Sequence, residues 1–406
     1  MSLLQNDIKT LHELLINKKV TSKELVDESI KLAKEYNSDY NFFVTINEDA
    51  LEKEVTDNLL SGIPCAIKDN LSTANILSTG SSNTLKDYVP FFDATAVKKL
   101  NEANAVDIGK TVMDELGMGG TGTTGHTGIV RNPWDRKRIT GGSSAGSAGA
   151  VAAGIVPYAL GSDTGDSIRK PAAYCGIVGY KPTYGLVSRY GLFPFASSLD
   201  HVGCLTRNVY DAAVVIDQIK GQDEHDMTSL PNSNEKLVDS LGSDVSSKKL
   251  FYIKEIGDIN SYDEKTEELK KTLDIFKQTI DKCRDLGMTV EEVSIDRHLL
   301  EAIYPTYVCL SCAEATSNYS NLTGIVFGPR GKGNTINDIM IDHRTNGFSP
   351  LIKRRFIIGS YVLQQENQER YFKNAQRVRR LIVNKMNELF EKYDAMVLPC
   401  SAKGAR

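Results

Sequence analysis

The chain has 406 residues, 41% hydrophobic and 25% charged, ordinary proportions for a folded chain that buries a sizeable core. Its formal net charge of −4 offers no general electrostatic grip on nucleic acid, so any RNA involved would be held by another subunit. No stretch approaches the roughly 18 apolar residues that span a bilayer, and Met1-Ser2-Leu3-Leu4-Gln5-Asn6-Asp7 lacks a basic region followed by an apolar run; no membrane role is expected and the cytoplasm is the expected location. Residues 7–36 then read as two short amphipathic helices, the second opened by the capping-box pattern Thr21-Ser22-Lys23-Glu24 and carrying Leu25, Ile30 and Ala33. Ile63-Pro64-Cys65-Ala66-Ile67-Lys68-Asp69-Asn70 is an apolar run with a single lysine. A buried lysine loses its proton readily, which makes Lys68 a candidate base.

Further along come two serine-bearing glycine clusters, Gly141-Gly142-Ser143-Ser144-Ala145-Gly146-Ser147 and Gly161-Ser162-Asp163-Thr164-Gly165-Asp166-Ser167-Ile168-Arg169. Between them, Ala145 to Gly154 is nearly all Ala, Gly, Ser and Val, a helix packed tightly against its neighbours with its N-terminus toward a site. It lacks a G-x-G-x-x-G spacing, which argues against a dinucleotide site. Residues 218–248 dissolve into Gln, Asp, Ser and Asn and read as an exposed excursion. After it come the strand Leu250-Phe251-Tyr252-Ile253 and a helix capped from Ser261-Tyr262-Asp263-Glu264. Leu269, Leu273, Phe276, Ile280 and Cys283 share one face of that helix, which is followed by strand-like residues from Thr289 to Ile295, a βαβ unit suited to a twisted mixed sheet. Gly328-Pro329-Arg330-Gly331-Lys332-Gly333 superficially resembles a phosphate loop, but Gly333 stands where a magnesium-binding Ser or Thr belongs, so a basic surface loop is expected. Seven scattered cysteines fit reduced thiols, and Cys309-x-x-Cys312 without a second pair does not make a zinc site.

A serine hydroxyl becomes a useful nucleophile once a base takes its proton and backbone N–H groups hold the oxyanion that develops. Glycine-rich turns allow that close backbone approach. Lys68, Ser143 and Ser167, the first pair 75 positions apart and the second 24, resemble in order and spacing the Ser-Ser-Lys triad of the amidase signature family. The resemblance continues through Met113-Asp114-Glu115, Arg131-Asn132-Pro133-Trp134-Asp135, Gly179-Tyr180-Lys181-Pro182-Thr183-Tyr184-Gly185 and Ser188-Arg189-Tyr190-Gly191-Leu192. Phe195-Ala196-Ser197-Ser198-Leu199-Asp200, Cys312-Ala313-Glu314-Ala315-Thr316-Ser317-Asn318 and Lys353-Arg354-Arg355 are similar to the branch of the family that supplies ammonia for tRNA-dependent amidation.

The resemblance implies the amidase signature fold, an α/β architecture with a central twisted mixed sheet covered by helices on both faces. It also implies one domain over residues 1–406: a helical part to about 60, a catalytic core at about 61–215, the excursion, and a C-terminal part from about 249, shorter than in the family and lacking its acidic ligand for the substrate ammonium. Ser167 would attack the side-chain amide of glutamine, Ser143 would relay the proton and Lys68 would accept it. The N–H groups of Thr164, Gly165, Asp166 and Ser167 would form the oxyanion hole, about 3 kcal/mol for a critical donor. Arg355 would hold the substrate carboxylate, with neighbouring Arg354 the competing assignment, and Tyr307 would line the pocket. In that branch ammonia passes to a B subunit that uses ATP and magnesium on misacylated tRNA, Glu-tRNA(Gln) or Asp-tRNA(Asn), and a small third subunit wraps the pair; no cofactor or metal is implied for this chain, and relatives also work in the mitochondrial matrix. Three departures leave a silent scaffold, or a free-standing amidase on another small amide, as alternatives: Asp166 replaces a glycine beside the nucleophile and Lys170 a glutamine, Gly119 to His126 departs from the family's loop, and the C-terminal part is short. His126 is assigned no role.

Overall fold

In the computed structural model, which describes residues 2–402 and 404–405, the chain divides into two compact units. The first is chiefly Met1–Leu241 with Ala315–Arg355, the second chiefly Gly242–Glu314 with Phe356–Gly404. The first unit is built on a six-stranded sheet of β1 (Phe43–Ile46), β2 (Pro64–Lys68), β3 (Val106–Thr111), β6 (Tyr158–Asp163), β7 (Val178–Tyr180) and β8 (His201–Thr206), in the order β1-β3-β2-β6-β8-β7. Strands β3, β2 and β6 run parallel while β1, β8 and β7 pair antiparallel, which makes the sheet mixed. A two-stranded ribbon of β4 (Arg131–Asn132) and β5 (Asp135–Ile139) stands apart from it.

Side chains alternate across a pleated strand, and the burial follows that alternation. Cys65 and Ile67 of β2, Tyr158 and Leu160 of β6, and Val202 and Cys204 of β8 meet one apolar cluster. That cluster is closed by α1 (Ile8–Ile16), α3 (Thr95–Glu102) and α6 (Val209–Ile219). The adjacent residues Ala66, Ala159 and Leu205, on the opposite face, meet a second cluster, with α4 (Ala145–Ala152), α5 (Arg169–Cys175) and the Val26 and Ala33 face of α2 (Ser22–Tyr40). The sheet is therefore covered on both faces, as the family resemblance implies.

Helix α2 opens on the capping box read from the sequence: the Thr21 hydroxyl accepts from the Glu24 N–H and the Glu24 carboxylate accepts from that of Thr21. The excursion is largely exposed and is tied down by aspartates, Asp217 accepting from the N–H groups of Leu237 and Val238, and Asp226 from that of Arg189. Among the described residues no helix is long and apolar enough to cross a membrane.

The second unit holds a parallel sheet in the order β10-β9-β11, from β9 (Lys249–Ile253), β10 (Thr289–Val293) and β11 (Ala395–Met396). The connecting helix Glu267–Asp285 buries Leu269, Leu273, Phe276 and Ile280. Its cap differs from the expected one. Thr266 accepts from the Leu269 N–H, while Ser261 ends a separate 3-10 turn. A cap must directly precede the first helical residue, and Glu267 and Glu268 in the first turn favour the positive end of the helix dipole at Thr266.

Candidate active site

Three elements of the first unit bring the candidate chemistry together. Lys68 ends β2, Ser162 and Asp163 end the adjacent β6, and Ser143-Ser144 lead into α4. Lys68 is fully buried, with its Nζ 2.8 Å from the Ser143 hydroxyl, 2.9 Å from the Ser162 hydroxyl and 3.1 Å from the Ser162 carbonyl. Asn70 donates its side-chain amide to the same Ser162 hydroxyl at 2.9 Å. Burial pulls the lysine down to about 7, against the charges of Asp163, Asp114 and Asp200, which favour its protonated form. An amine so shifted is substantially neutral near physiological pH.

The turn bearing Ser143 is pressed against Asp114. Asp114 donates its N–H to the Ser143 carbonyl at 3.2 Å. Its carboxylate accepts from the backbone N–H groups of Thr121, Gly122, Thr123 and Thr124 and from the Thr124 hydroxyl. A Cβ on Gly142 would lie 2.0 Å from Asp114 Oδ2, so the close approach itself requires glycine there. The Gly142-Ser143 peptide is cis. Ser144 and Ser147 are committed to the scaffold: Ser144 donates to the Ser162 carbonyl, and Ser147 to that of Leu160 at 2.9 Å.

Ser167 lies 4% exposed on the turn between β6 and α5, and its carbonyl accepts from the Ser144 N–H at 3.0 Å, which fixes the second serine cluster against the first. Asp163 cinches this turn, accepting from the Ile168 N–H at 2.9 Å and from Arg169 Nε and Nη2 at 3.2 and 2.9 Å. Burial alone would raise the Asp163 carboxyl; hydrogen bonds and charge from Arg169, with the Ile168 N–H, outweigh it and hold the group below its usual range. The Ile168 and Lys170 amides are thus taken by Asp163 and by the Asp166 carbonyl. Those of residues 164–167 donate to no acceptor among the described residues. The Asp166 side chain, 43% exposed, forms an ion pair with Lys170.

Arg355 and Arg354 are separated by their surroundings. Arg354 is exposed, whereas Arg355 is half-buried with its guanidinium 5.5 Å from the centre of the buried Phe195 ring. Tyr307 belongs to the second unit, half-buried, its ring 6.5 Å from that of Tyr304. His126 lies in the Gly119–His126 loop and donates its N–H to the Ser81 carbonyl. Four side chains of this centre carry no signal of their own in the sequence: Asn70, Asp114, Ser162 and Asp163. Each sits inside a recognisable motif, and only the fold shows which motif residues turn inward.

The amidase family profile matches residues 24–406 of the chain. The A subunit of the glutamyl-tRNA(Gln) amidotransferase of Pediococcus pentosaceus is 41% identical over 404 residues, covering 97% of this chain and 81% of that protein. Its counterpart in Oenococcus oeni is 40% identical over 410 residues, 98% of this chain and 82% of its own length. The crystal structure of the A subunit of glutamyl-tRNA(Gln) amidotransferase from Thermotoga maritima superposes with a TM-score of 0.82 at 36% identity, over 100% of this chain and 81% of that one.

Proposed function

The chain belongs to the amidase family, and we propose on that basis that it is the glutamine-hydrolysing subunit of a tRNA-dependent amidotransferase. The observation that carries this reading is the buried contact between Lys68 and Ser143, with the Ser167 turn bonded to the neighbouring Ser144. A neutral lysine has two N–H donors and one lone pair. The two Ser162 oxygens take the donors, which leaves the lone pair for the Ser143 O–H.

Ser167 Oγ attacks the side-chain carbonyl carbon of glutamine as its proton passes to Ser143 and the Ser143 proton passes to Lys68 Nζ. The carbonyl π electrons move onto oxygen, where the N–H groups of residues 164–167 receive the oxyanion. Collapse expels the amide nitrogen, which regains a proton through the same relay and leaves as ammonia. Water, deprotonated along that path, then releases glutamate from the Ser167 ester. Arg355 provides a planar, two-pronged donor for the substrate carboxylate, its plane supported by Phe195.

The ammonia would pass to a B subunit that activates the misacylated glutamate with ATP and magnesium, a small third subunit would complete the assembly, and the complex would work in the cytoplasm. The names of the relatives, which are amidotransferase subunits, support membership of such an assembly. The test is glutamate release from glutamine by the purified chain, alone and with partner subunits, beside Ser167→Ala. Release that persists unchanged in Ser167→Ala would sink the proposed nucleophile, and no release with partners present would leave the chain a scaffold.

A further inference from the structure

One buried carboxylate outside the proposed relay touches both ends of the candidate site. Asp200, 3% exposed, immediately precedes β8. Its Oδ1 accepts from the Thr164 hydroxyl at 2.6 Å, and its two oxygens share the Ala196 N–H at 3.1 and 3.0 Å. Thr164 begins the turn that ends in Ser167, three residues on. Ala196 follows Phe195, whose ring supports the Arg355 guanidinium and whose carbonyl is held by Asn318. Further ties across this gap include the β6–β8 ladder through Asp163 and His201 and the His201 imidazole, whose Nδ1 lies 3.2 Å from the Asp163 carbonyl and 2.6 Å from that of Leu199; neither reaches Thr164 or Ala196. Asp200 is therefore a side chain that bonds directly to both the turn that bears the nucleophile and the residue after Phe195, the support of the carboxylate clamp.

We propose that Asp200 is a positioning residue that fixes the distance between the Ser167 turn and the Arg355 platform, so that a substrate is held by its carboxylate with its amide carbon at the nucleophile. This rests on the glutaminase reading for its substrate. The physical link itself does not. A linear amino-acid amide spans a fixed length, and a displacement of about 1 Å between clamp and nucleophile costs roughly a hundredfold in rate. The Thr164 arm governs the turn alone, whereas the carboxylate governs both ends, so the two residues should separate in kinetics.

The test uses the full chain with Thr164→Val, Asp200→Ala and Asp200→Asn, read by glutamine kinetics and by backbone hydrogen exchange over residues 163–168 and 194–199. Thr164→Val should lower kcat about tenfold with KM within about twofold, and loosen the first segment alone. Asp200→Ala should lower kcat, raise KM about tenfold and loosen both segments. Asp200→Asn can still accept from Ala196 through its oxygen and donate to the Thr164 hydroxyl through its nitrogen, so it should recover most of both losses. Exchange unchanged at either segment in folded Asp200→Ala, or a kcat loss there with KM unmoved, overturns the proposal. If Asp200→Ala does not fold, an Asp200→Asn variant as defective as Thr164→Val, with its first segment equally loose, overturns it instead. A wild-type chain no more active than Ser167→Ala would end the glutaminase reading, and exchange alone then decides the link.

Discussion

Lys170 reaches back one helical turn to Asp166, so the carboxylate beside Ser167 is matched by an ammonium. Unmatched, a charge about 5 Å from a developing oxyanion at an effective dielectric near 20 would oppose it by roughly 3 kcal/mol. The two side chains are 43% and 25% exposed, and solvent screening brings the expected effect to about 1 kcal/mol, or about fivefold in rate. Lys170→Ala should therefore slow glutamate release about fivefold at low salt and less at high salt, and Asp166→Asn in the same chain should restore it. Equal rates for Lys170→Ala and wild type at low salt would show that Asp166 is solvated away from the reacting centre.

The lysine sets a pH dependence whose sign follows from its burial. Lys68 sits at about 7 in the folded chain against an ordinary 10.5. As the base must be neutral, kcat/KM should fall about tenfold per unit below pH 7 and level off above it. The stability consequence runs the same way. Between pH 7 and 10.5 the unfolded chain keeps a proton on this group that the folded chain has released, so the contribution of Lys68 to stability increases with pH across that window. Lys68→Met abolishes both effects, which urea titrations at pH 7 and pH 9.5 would resolve; an identical difference between the two chains at both values would contradict the buried, shifted amine.

How much of this is legible in the sequence depends on the length scale of each signal. The capping box at Thr21 and Glu24 is a four-residue pattern with one geometric meaning, and α2 begins there. The run from Leu250 shows its strand, and helical spacing from Leu269 to Ile280 shows the buried face. The start of that helix is harder to read because Ser261 and Thr266 offer the same hydroxyl and only the direction of the chain between them decides. Lys68, Ser143 and Ser167 can be named from their resemblance to the family's triad, but Ser162, which takes two contacts of Lys68, looks like any strand serine. Its role depends on β2 and β6 being parallel neighbours, a pairing across more than ninety residues that no local pattern encodes. Asp114 is the same case, since its carboxylate accepts from four backbone N–H groups of a loop, a relation no local pattern encodes.

The two adjacent arginines offer a clean discrimination. Arg354 is exposed, and Arg354→Ala should leave glutamine kinetics within about twofold of wild type, as surface changes usually do. Arg355→Lys keeps the charge but loses the planar fork over Phe195, so KM should rise at least about tenfold with a smaller change in kcat. Simple amides without a carboxylate should be turned over alike by Arg355→Lys and wild type. Were Arg354→Ala to raise KM instead, the clamp would have to be reassigned.

The small-residue helix behind the site should respond to mutation with the opposite sign from its propensity. Glycine inside an exposed helix costs about 1 kcal/mol relative to alanine, so replacing it would normally stabilise. At Gly146 a Cβ would lie 2.1 Å from the Phe42 carbonyl oxygen and 2.7 Å from the Val112 nitrogen, both backbone atoms that no rotamer change can move. The Gly146 N–H also donates to the Val112 carbonyl at 2.8 Å, locking the first turn of α4 against the segment after β3. Gly146→Ala should therefore destabilise by about 3 kcal/mol or more. It should also cost activity, because shifting α4 carries Ser143 and Ser144 with it. Urea unfolding of Gly146→Ala beside wild type measures the first effect. A midpoint equal to or above that of wild type would mean that α4 is less tightly seated against Phe42 than these distances require.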